Sequence, residues 1–224
     1  MTLNDMNYLT IALPKGKLFE KSLVYLNKLG YATPDLSEKS RKLVITNEEK
    51  KVKFIITKTT DLPTYVEYGA ADIGIIGKDV LLEEQKDVYE LLDLKFGFCR
   101  VVVAVPQALK QEKLNDYAHL RVATKYPKIA ENFFHSVGIQ MEIIKLNGSI
   151  ELAPMVGLAE MIVDIVETGQ TLRENNLIEI QEIYPTTARF IANRASFKMK
   201  FERIETLKNE LKALTEEFES EAKK

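Results

Sequence analysis

The chain has 224 residues, 46% of them hydrophobic and 29% charged, with a formal net charge of −2 at neutral pH. That length buries one large core or two small ones, and the near-neutral balance excludes a global basic field for nucleic acid and an acidic tail. A single cysteine, Cys99, excludes an internal disulfide and a cysteine-based zinc cluster. No basic-plus-apolar leader precedes the first strand and no apolar run approaches membrane-spanning length, so the expectation is an ordered cytoplasmic protein with neither nucleic-acid nor membrane partners.

In chain order, Leu9–Leu13 reads as a short apolar strand broken by Pro14 and Gly16. Phe19, Leu23, Leu26 and Leu29 then recur at helical spacing until Gly30. Lys42–Thr46 and Val52–Thr57 read as two strands joined by the charged turn Asn47–Lys51. Asp61-Leu-Pro63 predicts a helix start with Asp as cap, ending near Gly69. A strand at Ile73–Ile76, a helix at Val80–Gln85 and a strand at Val88–Leu92 follow. Arg100–Val105 is so uniformly β-branched and apolar that it predicts a strand buried on both faces. Val122–Thr124, Met141–Lys145 and Met161–Ile165 are further strands, with a helix at Ile129–Val137. Thr171–Asn176 reads as a short helix and Leu177–Ile183 as a strand. Phe197–Phe218 reads as one long amphipathic helix whose stripe is Phe197, Phe201, Ile204, Leu207, Leu211, Leu214 and Phe218.

This repeated β-α-β order predicts an α/β fold with mainly parallel sheets. A joint near Gly97–Cys99 and a return crossing near Tyr184–Thr187 would give two lobes with a cleft between them. Lobe I is then residues 1–98 plus 185–224, and lobe II is residues 99–184. The terminal stripe packs on its own lobe or forms a subunit contact. His119 and His135 sit in no motif, and Cys99 reads as a small buried hydrophobe.

The segment Val163–Leu172, VDIVETGQTL, carries the chemistry. A strand running into a loop and then a helix aims backbone N–H groups at one point, which suits an anion. Gly169 permits close approach, and the Thr168 and Thr171 hydroxyls can donate to phosphate oxygens. Asp164 at the strand end can accept hydrogen bonds from a ribose diol. Together these match a 5′-phosphoribosyl group; the competing reading is an ordinary Thr-Gly turn before a helix. The loop resembles those of phosphoribosyltransferases, which bind phosphoribosyl pyrophosphate (PRPP).

Four further segments accompany it: Leu13-Pro14-Lys15-Gly16-Lys17-Leu18; Asp61–Asp72 (DLPTYVEYGAAD); Gly74–Leu81 (GIIGKDVL); and Gly148–Pro154 (GSIELAP) with Gly157-Leu158-Ala159. In this order, from about Leu9 to Arg194, they resemble the catalytic subunit of the ATP phosphoribosyltransferase family, in its short form without a C-terminal regulatory domain. The resemblance implies a two-lobed fold like that of periplasmic binding proteins. It also implies the first step of histidine biosynthesis, in which a ring nitrogen of ATP attacks the anomeric carbon of PRPP and pyrophosphate leaves. Mg²⁺ would ride on the substrate phosphates, with no dedicated metal site. The expected partner is a separate regulatory subunit resembling histidyl-tRNA synthetase, in a hetero-octamer around a homodimer core.

By the same resemblance, Asp164 binds the PRPP ribose hydroxyls, and Thr168, Gly169, Gln170 and Thr171 its 5′-phosphate. Glu151 lies near that ribose or its metal, or else is a helix-start carboxylate. Lys15 and Gly16, with Asp72, Gly77 and Asp79, are the candidate ATP contacts, Asp79 having the alternative of a helix N-cap. Lys17, Lys58 and Arg41 are the candidate cations for the leaving group. Lys17 and Lys58 stand where the family usually has Arg, which keeps the charge and loses the bidentate fork. Glu167 is counted with the PRPP-binding residues of the loop; it stands where a hydroxyl residue is common, and must turn away from a phosphate or towards metal. The alternatives are a cytoplasmic ligand-binding or sensor module of solute-binding architecture, and a PRPP enzyme with another acceptor.

Overall fold

The computed structural model describes residues 7–37, 40–111 and 114–222, so the ends of the expected first lobe, residues 1–6 and 223–224, lie outside it. The chain forms two compact units, one comprising the chain up to Gly97 together with the chain from Thr187 onward, the other Phe98–Thr186.

The first unit runs β1 (Leu9–Pro14), α1 (Lys17–Lys28), β2 (Val44–Asn47), β3 (Val52–Thr57), α2 (Leu62–Glu67), β4 (Ile73–Gly77), α3 (Lys78–Glu84) and β5 (Tyr89–Asp93). The second runs β6 (Cys99–Pro106), two 3₁₀ turns, β7 (Arg121–Thr124), α4 (Pro127–Ser136), β8 (Glu142–Lys145), α5 (Leu152–Met155), β9 (Met161–Val166), α6 (Gln170–Glu174) and β10 (Leu177–Thr186). The chain then returns to the first unit with β11 (Ala188–Ala192), α7 (Arg194–Met199) and α8 (Phe201–Ala222).

The first sheet has six strands in the order β2-β3-β1-β4-β11-β5, and the second five in the order β10-β6-β9-β7-β8. Period-two alternation splits each sheet between two cores. Leu9, Ile11, Leu13, Ile73 and Ile75 face one side with α1 and α8, while Ala12 and Ile76 face the other with α2 and α3. In the second unit Val101, Val103, Val105, Met161 and Val163 pack on α4, and Val102, Ala104 and Ile162 pack towards α5 and α6. Val101–Val105 are all buried, as the β-branched run predicts.

The expectation of mainly parallel sheets is corrected: both are mixed. β1 pairs in parallel with β3 and β4, and β7 with β8 and β9. But β2 folds back on β3 as a hairpin, β11 lies antiparallel between β4 and β5, and β6 lies antiparallel between β9 and β10. The strands next to the crossings between units return on their neighbours instead of following a helical crossover. β10 extends past the expected Ile183 and carries Pro185, tolerated because β10 is an edge strand.

The C-terminal helix is also corrected. Asn193 caps α7, its side chain accepting from the Ala195 and Ser196 N–H groups at 2.9 Å each. The helix then breaks at Lys200 (φ −119°), before α8. At the break the Lys200 ammonium is buried, donating to Asp72 at 2.7 Å and to the Tyr8 carbonyl at 2.6 Å. Ile204, Leu207, Leu211 and Leu214 are buried on their own unit. Phe201, placed in the stripe by its spacing, is 47% exposed and stacks edge-on against Phe197.

Candidate functional site

Cations gather at one edge of the first sheet. Pro14 lies opposite Thr57, so Lys15 and Lys58 leave the paired parallel strands side by side, the Lys15 N–H donating to the Thr57 carbonyl at 3.0 Å. Gly16 is the N-cap of α1 and Lys17 its first residue. The Leu43 carbonyl accepts from the Ile56 N–H at 2.9 Å, which brings Arg41, two residues earlier, towards the same edge. Lys15, Lys17, Arg41 and Lys58 are all exposed. β1 lies between β3 and β4, so the chain crosses to opposite sides of it; open α/β sheets bind ligands outside the carboxyl ends at such a switch point.

β4 ends at this edge with Gly77, the N-cap of α3. Asp79 is therefore inside the first turn and is not the N-cap that was its alternative reading. Its buried carboxylate folds back so closely that a Cβ on Gly77 would lie 2.2 Å from Oδ1. Lys78 pairs with Glu90, and Arg189 bridges Glu90 at 3.4 Å and Asp93 at 2.5 Å. Burial pushes the Asp93 carboxyl up, but hydrogen bonds from Lys95 and Thr187 and the charge of Arg189 outweigh it and hold the group at about 2.

Asp72 does not belong to this edge. It precedes β4 at the opposite, amino-terminal end of the strands and is 1% exposed. One carboxylate oxygen accepts from the Thr10 N–H and from Lys200, each at 2.7 Å. Its expected nucleotide contact is corrected: the carboxylate anchors the α7–α8 junction. Asp61 likewise makes no side-chain cap bond at α2.

The second unit repeats the arrangement. β7 lies between β8 and β9, making a second switch point. The turn after β8 brings Glu151, half-buried, to the position before α5, and it too makes no side-chain cap bond. β9 carries Asp164, half-buried opposite Val102, with one oxygen accepting from the Ile165 N–H at 2.8 Å.

The loop 166–171 leaves β9 at the same edge as Glu151. Val166 and Leu172 on either side of it are buried in one cluster, which pins both ends. Between them Glu167, Thr168, Gln170 and Thr171 are exposed, while Gly169 is buried in the left-handed region at φ +73°. An L side chain is strained there, and an added Cβ would lie 3.0 Å from Arg173 Nη1 and 3.3 Å from Glu179 Oε1. The Gln170 N–H points at Thr168 Oγ1, 3.4 Å away, and Gln170 Nε2 donates to Glu174 at 2.7 Å.

Three residues of this neighbourhood were not anticipated. Arg173 Nη1 donates to the Thr168 carbonyl at 3.0 Å. Arg100 grips Glu179 through two bonds of 2.7 and 3.0 Å and reaches Glu182 at 3.3 Å. Arg173 directly follows the loop and could have been found by extending the motif; Arg100 and Glu179 are 79 residues apart and only the sheet joins them. His119 and His135 are exposed and Cys99 half-buried, all away from the loop in sequence. Among the described residues, no three His, Cys, Asp or Glu side chains converge to hold a metal, and no helix is long and apolar enough to cross a membrane.

The family profile of HisG, ATP phosphoribosyltransferase, matches residues 58–213. The ATP phosphoribosyltransferase of Desulfitobacterium hafniense is 56% identical over 93% of this chain and 96% of its own. That of Caldanaerobacter subterraneus subsp. tengcongensis is 55% identical over 90% and 95%. Among solved structures, an ATP phosphoribosyltransferase HisG:HisZ complex from Thermotoga maritima superposes with a TM-score of 0.80 at 34% identity, covering 93% of this chain and 99% of that one. The substrate-binding protein of an amino-acid ABC transporter shares the fold at a TM-score of 0.63 and 15% identity, covering 96% of each chain. The chain belongs to the ATP phosphoribosyltransferase family.

Proposed function

We propose that this chain condenses ATP with PRPP to give phosphoribosyl-ATP and pyrophosphate, the first step of histidine biosynthesis. The observation that carries the reading is the loop 166–171: pinned at both ends, glycine-centred and exposing two threonine hydroxyls, in a chain of this family. The reaction forms a bond from an adenine ring nitrogen to the anomeric carbon and breaks that carbon's bond to pyrophosphate.

Thr168, Gly169, Gln170 and Thr171 hold the 5′-phosphate, and Asp164 accepts from the ribose hydroxyls. Neither grip occupies the bonds made and broken at the anomeric carbon, so both orient it without blocking the displacement. Glu151 contacts the ribose or its metal. Lys15, Gly16, Gly77 and Asp79 contact ATP. Lys17, Lys58 and Arg41 stabilise the charge that grows on the departing pyrophosphate, and ammonium groups serve there as point charges. Mg²⁺ would be carried on the substrate phosphates and would supply charge neutralisation for the leaving group.

The reading extends to a regulatory subunit of the HisZ type, because the Thermotoga maritima structure is a HisG:HisZ complex. It also places the enzyme in the cytoplasm. The test is to mix the chain and its cognate regulatory subunit with ATP, PRPP and Mg²⁺ and to follow pyrophosphate and phosphoribosyl-ATP. Equimolar appearance of both supports the reading. Tight binding of a small ligand without turnover would instead favour a sensor module.

A further inference from the structure

We infer that Arg173 is a positioning residue for the PRPP loop: it fixes the orientation of the Thr168–Gly169 peptide and so aims the loop's donors at the 5′-phosphate. The inference rests on the proposed role of that loop. Its observation is separate: Arg173 Nη1 donates to the Thr168 carbonyl at 3.0 Å, from five residues further along the chain.

The peptide between Thr168 and Gly169 is planar and trans, so its carbonyl and its N–H point in opposite directions. Drawing the Thr168 carbonyl onto the guanidinium therefore turns the Gly169 N–H away from Arg173. Without that bond a glycine-containing turn can flip this peptide at little cost, because glycine populates both signs of φ.

The space is made by the glycine itself. At φ +73° its missing Cβ leaves room for Arg173 Nη1, which would lie 3.0 Å from it. Glu179 Oε1 also approaches this point, at 3.3 Å. A carboxylate there opposes an incoming phosphate, but two hydrogen bonds from Arg100 hold Glu179. The guanidinium of Arg173 thus adds a positive charge beside the loop while Arg100 offsets the negative one.

The experiment compares Arg173→Ala, Arg173→Lys and Thr171→Ala in the complex with the regulatory subunit, measuring kcat, the KM for each substrate, and Tm. Arg173 is exposed, so Arg173→Ala is expected to fold with a Tm close to that of the parent chain. Its KM for PRPP is expected to rise about tenfold, the loss of one charge-assisted hydrogen bond, with the KM for ATP within about twofold. Arg173→Lys should recover much of the loss, because one donor suffices for one carbonyl. A purely structural role predicts a lower Tm and lower kcat with an unmoved KM for PRPP, and that result would overturn the inference. If Thr171→Ala raises the KM for PRPP and Arg173→Ala does not, the inference fails while the loop keeps its role. If neither variant moves it, both fail.

Discussion

Replacing Gly169 by alanine perturbs the loop in two separable ways. The backbone sits at φ +73°, where an L residue costs roughly 1–2 kcal/mol relative to glycine. The new methyl would also lie 3.0 Å from Arg173 Nη1 and 3.3 Å from Glu179 Oε1, both ends of flexible side chains that can give way by a few tenths of an ångström. The stability cost should therefore stay near ~1–2 kcal/mol, a fall in Tm of about 2–8 °C for a chain of this size. The functional cost is larger, because the methyl crowds Arg173 Nη1 and disturbs the hydrogen bond that orients the Thr168–Gly169 peptide. We expect the KM for PRPP to rise by more than about tenfold, or ~1.4 kcal/mol, with the KM for ATP little changed. Gly169→Asn separates the two effects, since asparagine tolerates the left-handed region but its Cβ still crowds Arg173: its Tm should recover while its KM for PRPP stays high. Steady-state kinetics with each substrate varied in turn, alongside thermal unfolding, makes the measurement. A Gly169→Ala enzyme with unchanged KM for PRPP would refute the reasoning.

Three other predictions follow from particular contacts. Lys200→Ala removes the partner of a carboxylate that is 1% exposed, so it should cost about 3 kcal/mol and lower Tm by ~6–12 °C, yet leave the KM for ATP within about twofold; a specific loss of ATP binding would restore Asp72 to the nucleotide site. Gly77→Ala places a Cβ 2.2 Å from Asp79 Oδ1 on backbone any residue can adopt (φ −68°, ψ 143°), so its effect comes from displacing that carboxylate, and the KM for ATP should rise several-fold while that for PRPP does not. Asp93, held at about 2 when folded, lies below its unfolded value of ~3.9, so it contributes stability above about pH 4 that is lost as pH falls towards 2. With partial exposure discounted, that contribution is about 1–2 kcal/mol. Denaturant unfolding of Asp93→Asn should therefore show lower stability at pH 7 and a flatter acid slope; an equally steep slope would contradict the assignment.

Much of the architecture is legible in local pattern. Arg100–Val105 announces a strand covered on both faces, and the stripe from Ile204 to Leu214 announces a helix lying on a core, because burial leaves a period in the residues. What local pattern misses is set by distant partners. β11 is a strand because it fills the gap between β4 and β5, and its neighbours come from other parts of the chain. Sheet polarity was misread for the same reason: a β-α-β rhythm implies parallel neighbours, but the strands beside the crossings pair antiparallel. The break at Lys200 is invisible in a continuous apolar stripe, and the carboxylate that holds Lys200 there lies 128 residues earlier. Asp72 is a different case: it precedes β4 in the chain, which with β1 parallel to β4 already puts it at the amino-terminal edge, and what the sequence hides is its distant partner Lys200. By contrast, the strand, glycine and threonines of Val163–Leu172 act through their own backbone, so the loop is readable where it stands.

The most direct test of the loop's role is a crystal structure of the enzyme with PRPP bound. The expected result places the 5′-phosphate oxygens within hydrogen-bonding distance of the Gly169 and Gln170 N–H groups and the Thr171 hydroxyl, with the ribose diol on Asp164. PRPP bound with its 5′-phosphate elsewhere, and the loop 166–171 facing only solvent, would contradict it.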